Sequence, residues 1–426
     1  MKISRLKVTD LRAHKQSEFS FQPGMNLLVG VNGVGKTTVL DALRICLSRV
    51  LPKFTFSKGL QKYAFVSDDI QVGSKSMIVE MSFIINDSQN TYLFQKQREQ
   101  LVFTNKGPDE EERINTPDKE VLTPGPSKAR KILALFDSLD PYTVKTSPIA
   151  LFFSTRRSLT SDAKPSKVRA SGGPLAAYGN ALNSSRELRL NEIASWMHVQ
   201  NELAKDLPQS NRHLEALRQA ATRFLPECKN LRASVDPKPR LLVEKNGKEL
   251  DVKQLSDGER GMLALVLDLA QRLSQANPKL DDPVRDGQAV VLIDELDLHL
   301  HPKWQRQIVE QLTETFPNCQ FIATTHSPQI IGEVPHDRIQ IMANGQVYSP
   351  THSFGVDSSR VLEEVMDSVQ RNEKVGMLLS KISGEIGQNH FGVARKSLSD
   401  LLSILGENDP EVTRMRTLLD FMEDEE

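Results

Sequence analysis

Residues 25–49 read MNLLVGVNGVGKTTVLDALRICLSR and carry a strong structural signal. Its first five residues are largely apolar, as in a buried strand, and its last part places Leu40, Leu43 and Leu47 at helical spacing before Pro52. Between them, residues 30–37 match the pattern GxxxxGK[ST], in which glycines and a helix N-terminus bring backbone N–H groups close to phosphates. The stretch therefore predicts an α/β fold with a phosphate-binding loop.

This loop supplies the first group of candidate ligands. We expect Lys36 to reach the β and γ phosphates of ATP, which makes it both a ligand and a catalytic residue. The Thr37 hydroxyl is expected to ligate Mg²⁺. The predicted nucleotide-binding residues in the loop are Asn32, Gly33, Gly35, Lys36, Thr37 and Thr38.

A second apolar strand, VVLI at 290–293, ends in two acids and has the form of a Walker B element. Asp294 is expected to hold Mg²⁺, and Glu295 to accept or polarise a proton of the attacking water. Taken alone, such a strand equally suits an ordinary strand that ends at solvated acids. Farther on, residues 324–327 follow the strand predicted at 319–323 and place His326 near the nucleotide, as a hydrogen-bond donor to the γ-phosphate.

Composition narrows the class of protein. The chain has 426 residues, with 54 Lys and Arg against 55 Asp and Glu, so no overall basic charge indicates nucleic-acid binding. Its three cysteines, Cys46, Cys228 and Cys319, form no CxxC pair, which argues against a zinc site and a disulfide framework. No apolar run reaches the roughly 20 residues that span a bilayer, so we expect a cytoplasmic protein with no membrane partner.

Turn-forming residues and changes of composition along the chain predict four regions. An N-terminal lobe covers 1–155, a basic loop with a helical insertion covers 156–235, a second α/β lobe covers 236–350, and a helical domain covers 351–426. A polar stretch at 105–126 is predicted to be a loop, and 156–174 a mobile basic segment that is either solvated or contacts phosphate. Residues 185–224 are predicted to be helical, and the tail to hold helices starting near 361, 391 and 410.

Residues 255–260, LSDGER, open a predicted helix and by themselves indicate a capping box between Ser256 and Glu259. Beside the other motifs they resemble the ABC signature LSGGQ or LSGGE, with Asp257 departing at one glycine position. The resemblance implies that Ser256, Gly258 and Glu259 of one subunit bind the nucleotide held by another, and hence at least a homodimer.

Two further segments make the chain resemble the SMC, RecF and OLD-type ABC ATPases rather than transporters. Residues 11–14, LRAH, are similar to the FRSH segment of the SMC-like repair ATPases, which implies that Arg12 contacts nucleotide. Residues 296–302, LDLHLHP, resemble the D-loop of RecF and OLD-type proteins; their HxH pair is a weaker candidate for zinc. The fold implied is an ABC-type P-loop ATPase head, a mixed β-sheet flanked by helices, with a short helical insertion and a small α-helical C-terminal domain.

Where these families supply a Q-loop glutamine, this chain has Ser154 to Arg157, with Arg156 the candidate substitute.

The closing helices, with NDPE at 408–411 and TLLDF at 417–421, resemble the PtuA family, the ATPase subunits of Septu anti-phage defence systems. An ordinary helical tail is the alternative. The resemblance implies a slow, regulatory ATPase that assembles with itself and with an HNH nuclease. It also implies that the protein binds DNA, either directly or through that partner. The competing hypothesis is a stand-alone RecF-type DNA-binding ATPase in DNA repair, whose candidate DNA contacts are Arg156, Arg157, Lys164, Lys167 and Arg169.

Overall fold

The computed structural model describes residues 1–55, 57, 61–85, 87–98, 100–103, 111–114, 118–123, 146–158, 173–364 and 372–424. The chain divides into two compact units, Met1–Asp357 and Ser358–Glu426. Among the described residues, no helix is both long enough and apolar enough to cross a membrane. Lys164, Lys167 and Arg169 lie outside the described residues.

The strands are β1 (Lys2–Leu11), β2 (His14–Ser20), β3 (Met25–Val29), β4 (Ser76–Ile85), β5 (Ser88–Gln97), β6 (Gln100–Phe103), β7 (Glu111–Ile114), β8 (Lys119–Thr123), β9 (Ile149–Phe153), β10 (Cys228–Ser234), β11 (Arg240–Lys245), β12 (Lys248–Asp251), β13 (Ala289–Ile293), β14 (Gln320–Thr325), β15 (Ile339–Ala343) and β16 (Gln346–Tyr348). The helices are α1 (Lys36–Val50), α2 (Leu190–Leu203), α3 (Pro208–Phe224), α4 (Asp257–Ala276), α5 (Pro283–Asp286), α6 (Pro302–Thr315), α7 (Pro328–Ile331), α8 (Ser358–Glu364), α9 (Glu373–Gly387), α10 (Phe391–Leu405) and α11 (Pro410–Asp424).

A six-stranded sheet in the order β16-β15-β3-β14-β13-β9 forms the centre of the first unit. Its neighbouring strands are parallel except β16, which pairs antiparallel with β15. Strands β3, β9, β13 and β14 are buried along their whole length, as near-continuous apolar strands of parallel sheets are. Their carboxyl ends lie at one edge of the sheet, so the segments that follow them are neighbours.

A five-stranded antiparallel sheet, β2-β1-β4-β5-β8, shares one hydrophobic core with helix α1 and the central sheet. Strands β7 and β8 both fall in the stretch 105–126. The prediction of a loop there is wrong for these residues, because polar strands at a sheet edge lack the apolar alternation that identifies a strand.

Residues 185–224, which the sequence predicts to be helical, contain two helices, α2 and α3, separated at residues 204–207. The antiparallel sheet β10-β11-β12 follows them. Asn246 and Gly247 form the turn between β11 and β12. Helix α3 packs against α4. Buried Asp268 of α4 accepts from Arg186 at 2.6 Å and from Arg272 at 3.0 Å, which ties the segment before α2 to α4.

The second unit has its own hydrophobic core, formed by α9, α10 and α11. Helices α10 and α11 begin where the sequence predicts, and Asp409 caps α11 by accepting from the Glu411 N–H at 2.9 Å. Helix α9 was not predicted. Helix α8 covers the start of the predicted helix near 361, and its later predicted positions, Val365, Met366 and Val369, lie outside the described residues.

Candidate nucleotide site

The phosphate-binding loop leaves β3 and ends where α1 begins. Gly35 is the N-cap of α1 with a φ of 100°, and a Cβ atom there would collide with the His14 ring, whose Nε2 lies 3.2 Å from the Gly35 carbonyl oxygen. Left-handed backbone and the His14 ring together exclude a side chain at this position. Asn32 and Gly33 are exposed on the loop, and Thr38 is buried behind it.

Lys36 is buried at the base of the loop, where its ammonium group donates to the carbonyl oxygens of Gly30 at 2.6 Å and Val31 at 3.0 Å. Burial lowers the pKa of Lys36, although the acids that follow β13 act in the opposite direction. The cation therefore lies between the loop and those acids, where a negatively charged phosphate would find a partner.

The Thr37 hydroxyl lies 3.3 Å from both carboxylate oxygens of Asp294. Thr37 is in the first turn of α1 and Asp294 directly follows β13, so two separate elements bring these oxygens together. Hydroxyl and carboxylate oxygens are ligands that Mg²⁺ accepts, and Mg²⁺ commonly binds one or two protein oxygens together with substrate phosphates. The donor set thus fits a magnesium–nucleotide complex.

Glu295 is held in a left-handed conformation, with a φ of 51°. Its N–H donates to the Thr324 hydroxyl oxygen at 2.7 Å, and the same hydroxyl donates to Asp294 Oδ1 at 2.8 Å. Thr324, at the end of β14, is fully buried. It therefore fixes both acids relative to each other, a role that the sequence prediction did not assign to it.

Asp297 connects the acids after β13 with the segment after β14. Its Oδ1 accepts from the Thr325 hydroxyl at 2.6 Å and from the His326 N–H at 3.2 Å. Burial lowers the pKa of His326, and the charge of Lys36 lowers it further. The imidazole is thus kept neutral near neutral pH, with one ring N–H available to donate.

The signature-like residues form a separate group at the start of α4. The Ser256 hydroxyl oxygen accepts from the Glu259 N–H at 3.4 Å while Glu259 Oε2 accepts from the Ser256 N–H at 3.2 Å, which confirms the predicted capping box. Glu259 also pairs with Lys245 at 2.6 Å. Gly258 packs on the D-loop-like segment, where an added Cβ would lie 2.8 Å from the His299 carbonyl oxygen.

Three arginines differ in their surroundings. Arg12 forms ion pairs with Asp69 at 2.8 Å and Asp41 at 3.1 Å, and its contact with nucleotide stays a prediction. Arg156 is exposed. Arg157 is buried and donates to the carbonyl oxygens that follow β13, so its assignment as a DNA contact is wrong: that guanidinium is engaged inside the protein.

The structure therefore brings together most of the predicted site at the carboxyl edge of the parallel sheet, where topology places ligand sites in open α/β sheets. Hydrogen bonds and charge interactions connect the predicted residues Lys36, Thr37, Asp294, Glu295 and His326. Within the part of the chain that the structure describes, the side chains of Ser256 and Glu259 bond to each other and to Lys245 instead.

Comparison with known proteins is consistent with this geometry. Residues 25–332, well over half of the chain, match the family described as "AAA domain, putative AbiEii toxin, Type IV TA system". The "Retron Vc95 probable ATPase" of Vibrio cholerae serotype O1 biovar El Tor is 26% identical, over 89% of this chain and 82% of the relative. The "Septu protein PtuA" of Bacillus thuringiensis is 24% identical, over 77% of this chain and 72% of the relative.

A third relative shows a stronger but shorter match. The "Retron Ec83 probable ATPase" of Escherichia coli is 38% identical over 212 residues, which cover 49% of this chain and 39% of the relative. The match thus spans well under half the length of that protein.

Proposed function

The chain belongs to the family described as "AAA domain, putative AbiEii toxin, Type IV TA system" and is an SMC/RecF-like ABC ATPase that resembles PtuA, and from this premise we propose that it dimerises around ATP and regulates a partner HNH nuclease in anti-phage defence. One observation supports the ATPase assignment. At one sheet edge, the Thr37 hydroxyl contacts Asp294, and the charge of Lys36 interacts with the acids after β13. The similarity to PtuA over most of the chain supports the nuclease part.

Each group at the sheet edge has a distinct chemical task in this proposal. Thr37 and Asp294 would hold Mg²⁺, which would neutralise phosphate charge. Lys36 binds the terminal phosphates, Glu295 takes a proton from the attacking water, and His326 donates a hydrogen bond to the γ-phosphate.

The signature group completes the site from a second copy. Ser256 caps a 20-residue helix, and a helix N-terminus binds anions well. A symmetric dimer would place this N-terminus over the γ-phosphate held by the partner, so that ATP itself joins the two subunits. Hydrolysis then releases the dimer, which gives the nuclease a nucleotide-dependent switch.

Affinity purification from the native host tests the proposal. The wild-type chain, the hydrolysis variant Glu295→Gln and the binding variant Lys36→Ala are each recovered with ATP and Mg²⁺ present. Mass spectrometry then identifies the bound proteins, and phosphate release measures hydrolysis. We expect Glu295→Gln to retain ATP, to be dimeric, and to recover a small HNH protein in greater amount than Lys36→Ala does.

Two outcomes would contradict the proposal at different levels. If DNA-repair factors or DNA alone are recovered and no HNH protein appears, the nuclease partnership fails and the RecF-type alternative leads. If the purified wild-type chain neither binds nor hydrolyses ATP, the ATPase assignment itself fails.

A further inference from the structure

Arg157 is a cation buried at the carboxyl end of β9. Its side chain is among the buried charged groups, at 4% exposure, and it lies in the short helix Thr155–Ser158 that directly follows the strand. Strand β9 pairs in parallel with β13, with Phe153 opposite Ile293. The two chain segments that leave these strands therefore run side by side, and Arg157 is carried to the backbone of the two acids after β13.

The guanidinium group donates to two consecutive carbonyl oxygens. Nη1 donates to the carbonyl oxygen of Asp294 and Nη2 to that of Glu295, and Nη1 also donates to the Ser154 carbonyl oxygen at 3.3 Å. A planar fork of fixed N–H donors suits such a pair of acceptors, whereas the single ammonium of a lysine does not. Arg157 thus binds the main chain of the acids and leaves their carboxylates free for other partners.

Glu295 needs such support because its backbone is strained. A non-glycine residue with a φ of 51° lies in a sparsely populated region of backbone conformation, which persists only where surrounding contacts impose it. Thr324 holds the N–H of Glu295, while Arg157 and the Leu298 N–H, at 2.9 Å, hold its carbonyl oxygen. Contacts on both sides of the residue therefore fix the direction in which the Glu295 carboxylate leaves the backbone.

Arg157 also brings positive charge beneath a group of acids. Burial is the largest effect on Arg157 and lowers its pKa to about 10, although the charges of Asp294, Asp297 and Glu295 act in the opposite direction. At neutral pH the side chain remains protonated, so it offsets the mutual repulsion of three carboxylates that lie within four residues of one another.

We propose that Arg157 is a positioning residue for hydrolysis: it locks the backbone of Asp294 and Glu295 so that the Glu295 carboxylate points at the attacking water. This inference rests on the proposed role of Glu295. It gives the residues after β9 a function different from that of the expected glutamine, since Arg157 acts on the protein backbone from inside the fold.

The test compares Arg157→Gln and Arg157→Lys with Arg240→Gln, a control at an exposed arginine of β11. Single-turnover hydrolysis and the affinity for a fluorescent ATP analogue are measured with the full-length chain. We expect Arg157→Gln to hydrolyse about 30- to 100-fold more slowly while its nucleotide affinity changes less than about 3-fold. Arg157→Lys should be slowed about 10-fold, because it keeps the charge and loses the fork. Arg240→Gln should match the wild type.

A double-variant cycle separates positioning from general damage. Because Arg157 acts through Glu295, Arg157→Gln combined with Glu295→Gln should be no slower than Glu295→Gln alone. Hydrogen–deuterium exchange of the peptide that contains residues 294–298 supplies a readout independent of hydrolysis, and we expect faster exchange there in Arg157→Gln.

Several results would overturn the inference. Wild-type hydrolysis in Arg157→Gln or Arg157→Lys would do so. Loss of nucleotide binding or of folding in both variants, seen by binding and thermal melting, would assign Arg157 a structural role instead. If Glu295→Gln itself hydrolyses ATP normally, the proposed function of Glu295 fails first, which distinguishes that failure from a failure of Arg157 alone.

Discussion

The hydroxyl group of Thr324 serves two acids at once, since it accepts from the Glu295 N–H and donates to Asp294 Oδ1. It is fully buried, so water cannot replace it. A buried hydrogen-bonding group that loses its partner costs about 1–3 kcal/mol. Thr324 therefore has a larger effect on the geometry of the site than its small side chain suggests.

We expect Thr324→Val to slow ATP hydrolysis about 10- to 100-fold, because valine keeps the shape and leaves the Glu295 N–H without an acceptor. Steady-state phosphate release with thermal melting measures the effect. Thr324→Ser, which keeps the hydroxyl, should retain most activity, and Thr313→Val, on a helix remote from the acids, should retain all of it. Normal hydrolysis by Thr324→Val would show that this hydroxyl is dispensable.

His213 predicts a dependence of stability on pH. Burial, together with the charge of Arg212, lowers the pKa of His213 to about 4. The unfolded chain therefore binds a proton that the folded chain rejects between about pH 6.5 and 4, so this residue's contribution to stability is complete above pH 6.5 and is lost as the pH falls.

Between pH 7.5 and pH 5 we expect the wild type to lose about 2 kcal/mol more of its free energy of unfolding than His213→Leu does. Urea unfolding at the two pH values measures both losses. His352→Leu, which replaces an exposed histidine, should behave as the wild type. Equal losses in the wild type and His213→Leu would assign the acid sensitivity to other groups.

At the scale of elements, the site is assembled from strand ends and one helix start. Strands β3, β13 and β14 are neighbours in the parallel sheet, and each ends in a segment that carries site residues. Helix α4 contributes differently, because its first turn packs on the segment that follows β13: Gly258 lies against the His299 carbonyl oxygen. The signature-like and D-loop-like segments are thus in contact within one chain.

Two glycines of α4 provide a matched test of this contact. A Cβ at Gly258 would lie 2.8 Å from the His299 carbonyl oxygen, whereas a Cβ at Gly261 meets nothing within 4 Å. Alanine is favoured over glycine inside helices by up to about 1 kcal/mol. We expect Gly261→Ala to be neutral or stabilising and Gly258→Ala to be destabilised relative to it by about 1–2 kcal/mol, with slower hydrolysis. Urea unfolding of both variants measures the difference, and equal stability would show that the contact imposes no constraint.

At the scale of the whole molecule, all of the site residues lie in the unit Met1–Asp357, in two groups. One group surrounds Lys36 and the other surrounds Ser256, and the contacts of the described residues do not join their side chains. If two copies share each site, variants in different groups must complement each other.

We expect chains that carry Lys36→Ala and Ser256→Arg, each inactive alone, to recover about a quarter of wild-type hydrolysis when mixed in equal amounts, because half of the dimers hold one intact composite site. A mixture of Lys36→Ala with Glu295→Gln is the control: both changes affect the group that surrounds Lys36, so no intact site forms. Phosphate release from the mixtures distinguishes a site shared between two copies from a site completed within one chain. No recovery in the first mixture would indicate a site completed within one chain.

The sequence alone predicted the features that depend on neighbouring residues in the chain. The strand, loop and helix of 25–49, the capping box between Ser256 and Glu259, and the helix starts at Phe391 and Pro410 all follow from local spacing, because each is decided by residues within a few positions. Motifs in family order also identified the ATPase class. Where local signals were weak, the prediction was incomplete: a loop was wrongly predicted at β7 and β8, and no helix was predicted at α9.

Only the tertiary structure decided which side chains support those motifs. Arg157 reaches carbonyl groups 137 and 138 residues away, and Thr324 meets Glu295 across 29 residues. The partners of both depend on the parallel register of β9, β13 and β14, which sets the ends of distant strands side by side. Spacing along the sequence does not determine that register. The sequence therefore indicated an arginine after β9, but it did not show that Arg157 is buried while Arg156 is exposed.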